Sequence, residues 1–204
     1  SRWEIHYRVL VDVAERRLAT EILGVPILMP ILIAPTAYQR LAHPDGELAT
    51  ARAAAEAGTI YTMSTLATTS IEDVARVSQG PRWFQLYVHK DRELTQSLVE
   101  RAEAAGFGAL VLTVDTPVLG RRIRDVRNGF GLPAGLVMAN LVDAPGMKGM
   151  QSSSALARYI ASRHDASLSW RDVEWLRSLT RLPLLLKGVV RPDDALRAID
   201  AGAA

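Results

Sequence analysis

The feature that most constrains this chain is a repeat. A short apolar run, ending in a polar or reactive residue, is followed by an amphipathic helical stretch, and the pattern recurs five times. The runs are residues 28–35 (LMPILIAP), 59–64 (TIYTMS), 83–88 (WFQLYV), 109–115 (ALVLTVD) and 184–188 (LLLKG). Their near-continuous hydrophobicity is that of strands buried on both faces. The turn His43-Pro44-Asp45-Gly46 leads into a helix over 47–57, closed by Gly58. Further helices are predicted over 70–77, with Ser70 as N-cap and Asp73 three residues on, and over 92–105, closed by Gly106. The last two cover 170–179, capped by Ser169, and 193–201, with Pro192 at or near the first position. Repeated strand–helix units imply a parallel sheet with right-handed crossovers.

Two architectures fit such a repeat: an open doubly wound sheet and a closed barrel of eight units. An open sheet often carries a glycine-rich phosphate turn after its first strand. Here the first run ends in Pro35-Thr36-Ala37, which is no such turn, and this favours the barrel. The stretch 116–168, rich in Gly, Pro and Ser, is too long for a plain connection and reads as a lid or as partly disordered. Short helices are expected within it, at 155–162. The rest reads as one domain over residues 1–204.

Composition narrows the function classes. Basic residues number 24 against 22 acidic, a net charge of +2, which gives no reason to expect nucleic acid or a membrane surface as partner. With no cysteine, disulfides, thiolate catalysis and Cys-ligated metals are excluded, and a cytoplasmic setting is expected. No run of eighteen apolar residues is present, and Ser1-Arg2-Trp3-Glu4 carries no signal-peptide pattern.

The chemistry-bearing residues gather at the carboxyl ends of the runs. The second ends in Ser64, the third carries Gln85 and Tyr87, the fourth Thr113 and Asp115, the fifth Lys187. Residues two apart face the same side of a strand, so Gln85 and Tyr87 form one pair and Thr113 and Asp115 another. In a parallel barrel these groups converge on the rim where barrel enzymes place their sites. Past the fourth run, Leu119-Gly120-Arg121-Arg122 offers a guanidinium suited to a carboxylate or phosphate, although Arg121, Arg122, Arg124 and Arg127 also read as a solvated basic loop.

The stretches IAPTAYQRLAHPDGELATARAAAEAGT, FQLYVHKD, ALVLTVDTPVLGRR, SLSWRDVEWL and LPLLLKGVVRPDDA, in this order, resemble the FMN-dependent 2-hydroxy-acid oxidases and dehydrogenases, the group of glycolate, lactate and mandelate or 4-hydroxymandelate oxidases. The resemblance implies a TIM (β/α)8 barrel, with about five of its eight units present and FMN at the C-terminal rim. It places Pro35, Thr36 and Ala37 against the flavin, Ser64, Gln85 and Thr113 at its pyrimidine end, and Lys187 beside N1 and the C2 carbonyl. It gives Arg122 the substrate carboxylate, Tyr87 a hydrogen bond to the carboxylate or 2-hydroxyl, and Asp115 the orientation of a catalytic histidine. It implies oxidation of an (S)-2-hydroxy acid to the 2-oxo acid by a homo-oligomer, a tetramer by family habit, and no metal site. Ala37 leans towards members that use oxygen as acceptor. Leu66 replaces a bulky tryptophan and Tyr38 a methionine of the glycolate-oxidase pocket, which leans the substrate towards mandelate or 4-hydroxymandelate.

Two other readings of the residues stay open: a Schiff-base aldolase using Lys187, and a non-catalytic barrel half that packs on a partner chain. Lys187 also reads as a plain rim lysine paired with a carboxylate. The family's base lies in a Ser-Asn-His-Gly-Gly-Arg type motif with a second substrate arginine, and none of His6, His43, His89 and His164 matches it. His43 reads as a cap or surface residue, and His89 sits beside the solvated-looking Lys90-Asp91. The ribityl-phosphate strands and an N-terminal segment with another active-site tyrosine have no counterpart either. The chain is therefore expected to be a portion of a longer polypeptide or one half of a clipped one, and, taken alone, to bind FMN weakly without turnover.

Overall fold

A computed structural model of the chain describes residue 4, residues 6–118, residue 120, residues 122–142 and residues 165–204. Leu119, Arg121, His164 and the helix expected over 155–162 lie outside the described residues. In chain order the elements begin with a hairpin, β1 (Thr20–Ile22) and β2 (Val25–Ile27). They continue with α1 (Gly46–Glu56), β3 (Tyr61–Ser64), α2 (Ile71–Val77), β4 (Arg82–Leu86), α3 (Arg92–Ala104) and β5 (Ala109–Thr113). The short α4 (Ile123–Arg127), α5 (Trp170–Leu179), β6 (Leu184–Lys187) and α6 (Pro192–Asp200) follow.

Strands β3, β4, β5 and β6 form one sheet in that order, every pairing parallel. Ile33 extends it on the β3 side by a parallel bridge to Tyr61. The order therefore advances one strand at a time, without the reversal that defines a doubly wound sheet. This is the winding of a TIM barrel, and the fold is a barrel sector of about five units.

The pleat sorts side chains to two faces. Met63, Phe84, Leu86, Leu110 and Leu112 pack with Ala51, Ile71, Val74, Leu98, Val99, Val173 and Leu176 of the helices in the main core. The opposite face holds Ile60, Trp83, Ala109 and Val111, joined by Ile27 of the hairpin and partly by Ile22, Leu32 and Leu185. Along each strand this inward face runs from an apolar floor to a polar rim: Ile60 to Ser64, Trp83 to Gln85, Val111 to Thr113, Leu185 to Lys187. The hairpin covers the floor, and its turn, Leu23-Gly24, has φ of 52° and 76°, the left-handed pair of a type I′ turn.

Two expectations need correction. Residues 28–35 do not form a strand buried on both faces: Leu28 and Ile31 are each 64% exposed, and the one β-bridge is at Ile33, its N–H to Ile60 and its carbonyl to Thr62, both at 2.9 Å. Pro35, in phase with Ile33, has no N–H to give the ladder, so pairing cannot spread past it. The ladders of β4 and β5 also stop short of 88 and 115, leaving Tyr87 and Asp115 in the loops just beyond them. The helix signals hold closely. Ser70 accepts from the Asp73 N–H at 3.1 Å, Asp172 accepts from the Ser169 N–H at 2.6 Å, and Pro192 opens α6.

Candidate active site

The rim is built in two parts, and the first is a chain of neutral groups across three adjacent strands. Ser64 and Gln85 are register partners. Gln85 Oε1 accepts from Ser64 Oγ at 3.2 Å and from the Thr65 N–H at 3.3 Å, and its Nε2 donates to Thr113 Oγ1 at 2.9 Å. The Leu66 N–H donates to Ser64 Oγ at 3.1 Å. All three side chains are buried, so their polar atoms are held at fixed positions rather than solvated. Hydroxyls and an amide both donate and accept. The donor set therefore fits the carbonyl and N–H edge of a heterocycle such as the flavin pyrimidine, and does not fit a metal ion.

The second part is charged and more open. Thr113 and Lys187 are register partners, and Lys187 Nζ lies 3.8 Å from Asp115 Oδ2, both side chains being more than two-fifths exposed. Gly188 makes this approach possible: its φ is 111°, and a Cβ there would stand 2.5 Å from Asp115 Cβ. Lys187 thus is a rim lysine with a carboxylate partner. It faces solvent and an acid, the opposite of the apolar pocket that keeps a nucleophilic lysine neutral, so nothing in its surroundings favours a Schiff base.

Tyr87 lies within electrostatic reach of Tyr38, Asp115 and Arg122, and Tyr38 within reach of Arg122. Burial pushes the Tyr38 phenol up to about 12, with Arg122 opposing and Tyr87 adding to the rise. Tyr87 is raised by burial and by Asp115, and Arg122 again opposes. Both phenols are therefore neutral donors at neutral pH. Arg122 precedes α4, is largely exposed, and stands 4.0 Å from Asp125 Oδ2. Tyr38 adopts a left-handed backbone, φ 57°, its N–H donates to the Leu66 carbonyl at 3.2 Å, and its hydroxyl points to Met138 Sδ at 3.8 Å. Leu66 itself is in the main core. Pro35 and Ala37 are half-buried, and Thr36 is exposed with its hydroxyl 3.5 Å from the Ala34 carbonyl.

The described histidines stand apart from this cluster in their roles. His6 is exposed beside Glu4 at 3.5 Å. His43 Nδ1 accepts from the Asp45 N–H at 3.2 Å, just ahead of α1. His89 is buried, 2% exposed, although Lys90 next to it is solvated; its N–H donates to Thr95 Oγ1 at 2.9 Å. Among the described residues no group of acids and histidines could hold a metal ion, and no helix is long and apolar enough to cross a membrane.

Two contributors escape sequence reasoning. Met138 lies in the stretch that reads as a featureless lid, yet it is fully buried against Tyr38. Glu47, in the first turn of α1, looks like an ordinary solvated helix acid but is 0% exposed. Only a long-range contact could have revealed either. A cavity of about 450 Å³ also opens beside Tyr87, Thr113 and Gly188, but Leu112, Leu186 and Val173 place it mainly on the helix side of the sheet. It does not include Ser64, Gln85 or Lys187.

The chain is 54% identical to glycolate oxidase 3 of Arabidopsis thaliana, covering all of the chain and 56% of that protein. It is likewise 54% identical to an L-lactate oxidase of Nostoc sp. (strain PCC 7120 / SAG 25.82 / UTEX 2576), covering all of the chain and 57% of that protein. The crystal structure of mandelate oxidase with (S)-4-hydroxymandelic acid superposes with a TM-score of 0.88 at 45% identity, over 96% of this chain and 55% of that one. The chain thus spans little more than half the length of these relatives. Residues 1–204 all match one family, the FMN-dependent dehydrogenases, and the chain belongs to it.

Proposed function

We propose that this chain forms the FMN-facing and substrate-facing sector of an oxidase that converts an (S)-2-hydroxy acid to the 2-oxo acid. The observation that carries the reading is the convergence, on one rim, of the buried Ser64–Gln85–Thr113 chain with Lys187, Asp115, Tyr38, Tyr87 and Arg122. FMN, when bound, would supply a two-electron acceptor, with oxygen as the oxidant that regenerates it.

The chain's own residues would do the following. Ser64, Gln85 and Thr113 hold the pyrimidine edge, and Pro35, Thr36 and Ala37 border the ring. Lys187 presents a cation where negative charge collects during reduction, a fixed charge that needs no reorganisation. Arg122 grips the substrate carboxylate in its planar fork, and the neutral Tyr87 phenol donates to the carboxylate or the 2-hydroxyl. Asp115 stabilises a protonated base, supplied by the part of the family architecture that these residues do not cover. The substrate gives up a hydride from C2 and a proton from its hydroxyl, and oxygen leaves as hydrogen peroxide. Leu66 and Tyr38 shape the wall, and the side chain favoured is the aryl group of mandelate or 4-hydroxymandelate. The assembly we favour is a homotetramer.

The test is anaerobic mixing of the FMN-loaded full-length protein with (S)-mandelate, L-lactate and glycolate while the visible flavin absorbance is followed. Bleaching is expected with all three and fastest with mandelate. A flavin that stays oxidised with every acid refutes the substrate class, and fastest bleaching by glycolate refutes the aryl preference.

A further inference from the structure

We propose that Glu47 is a positioning residue that locks the turn after Tyr38 and thereby sets the substrate wall; the proposal rests on the oxidase reading of the rim. Glu47 belongs to α1, behind the rim, and is fully buried. Its carboxyl group is satisfied by neutral donors from two loops. Oε1 accepts from the Gln39 N–H at 3.2 Å, the Thr68 N–H at 2.8 Å and Thr68 Oγ1 at 3.0 Å. Oε2 accepts from Thr68 Oγ1 at 2.8 Å and Thr69 Oγ1 at 2.9 Å. One side chain thus ties the loop after the Ile33 bridge to the loop after β3.

Tyr38 sits at the point this tie controls. Its left-handed backbone crowds the Cβ against the following carbonyl oxygen, and such a conformation persists only where the surroundings over-determine it. Here they do. The Tyr38 N–H is held by the Leu66 carbonyl, the next N–H by Glu47, and the Arg40 N–H by Thr68 Oγ1 at 3.2 Å. The Gln39 side chain is held in turn, donating to Tyr61 Oη at 3.3 Å and accepting from Thr50 Oγ1 at 2.6 Å. Released from this clamp, the turn would relax towards right-handed φ and swing the phenol away from Tyr87 and Arg122. Ser64, Gln85, Thr113 and Lys187 would not move with it, because the sheet ladders hold them.

Glu47 therefore acts on substrate affinity rather than on flavin binding, which a purely structural role would not predict. In the FMN-loaded full-length protein, Glu47→Ala should raise the half-saturating (S)-mandelate concentration for flavin reduction about ten-fold, leave the limiting rate within about two-fold, and leave the visible flavin spectrum unchanged. Glu47→Gln should restore near wild-type behaviour. Its amide oxygen can take the two backbone N–H groups, and the Thr69 hydroxyl can rotate to accept from its nitrogen. In a Tyr38→Ala background Glu47→Ala should add nothing. Amide exchange gives a readout independent of substrate: Gln39 and Tyr38 should lose protection in Glu47→Ala while Gln85 and Val111 keep theirs. Thr68→Val, which removes the hydroxyl that Glu47 and the Arg40 N–H share, should give the same pattern more weakly, and it decides the matter if Glu47→Ala does not fold. Equal losses in both Tyr38 backgrounds, loss of flavin in place of substrate affinity, or unchanged Gln39 exchange would overturn the proposal. A wild-type flavin that no acid reduces would instead refute the oxidase reading and leave the exchange result to judge Glu47.

Discussion

The two halves of the rim are built in opposite ways. The Ser64–Gln85–Thr113 chain is buried, lies on or at the end of strands, and is hydrogen-bonded within itself. The Asp115, Arg122 and Lys187 half is exposed to solvent and lies at strand ends or in loops. A flat ring that stays bound needs donors fixed in advance, and a sheet fixes them. A substrate that must enter and leave needs charges that solvent can reach until it arrives. Exposure also means that the Lys187–Asp115 pair contributes little stability by itself, because water screens it. On the proposed reading its importance is to the reaction, and the two halves should fail differently when mutated.

The largest contrast is expected at Lys187. Lys187→Met should slow flavin reduction by roughly 10²–10³-fold, as loss of a preorganised electrostatic group does, while thermal stability and FMN content stay close to wild type. Rapid mixing and flavin absorbance measure both, and a variant that loses its flavin would erase the distinction. Gln85→Leu should do the reverse. It removes the amide partner of the Ser64 and Thr113 hydroxyls in a buried place, each loss costing about 1–3 kcal/mol, so FMN affinity and melting temperature should both drop. A third change sharpens the substrate side. Leu66→Trp should shift preference from mandelate towards glycolate by roughly 10–200-fold in kcat/KM, the range for wall groups in a pocket; an unchanged ratio removes Leu66 from the wall.

The last contrast is in stability at high pH. The Tyr38 phenol is raised from 10.0 to about 12, so the unfolded chain gives up this proton first. The stabilisation is complete below pH 10 and is lost as pH rises through about 12, on the order of 2–3 kcal/mol. Denaturant midpoints across that window, compared with Tyr38→Phe, should show the wild type losing more. Parallel curves would place Tyr38 outside the buried cluster.

The sequence made the buried half of this picture legible. The runs of β3, β4 and β5 each pass from apolar to polar, and period two puts Gln85 with Tyr87 and Thr113 with Asp115, while the strand register brings Ser64, Gln85 and Thr113 onto one face. Ser70, Ser169 and Pro192 likewise announce their helices through local chemistry. What stayed hidden depends on partners far along the chain. The hairpin at 20–27 turns on Leu23-Gly24 in place of the usual Asn-Gly or Asp-Gly, so no local signal marks it. Residues 28–35 have the composition of a strand, and the missing N–H of Pro35 keeps the pairing from spreading beyond Ile33. Glu47 reads as a helix-start acid because Thr68 and Thr69, some twenty residues on, are what bury it.

Single-turnover reduction by (S)-mandelate in wild type and Arg122→Met tests the central claim most directly. The visible flavin absorbance is followed over a range of substrate concentrations. The account predicts a wild-type flavin that bleaches fully, and a variant with nearly the same limiting rate whose half-saturating concentration is raised roughly 10–150-fold, the value of a charged hydrogen bond to a carboxylate. A wild-type flavin that stays oxidised, or a variant whose limiting rate collapses at unchanged half-saturation, would contradict it.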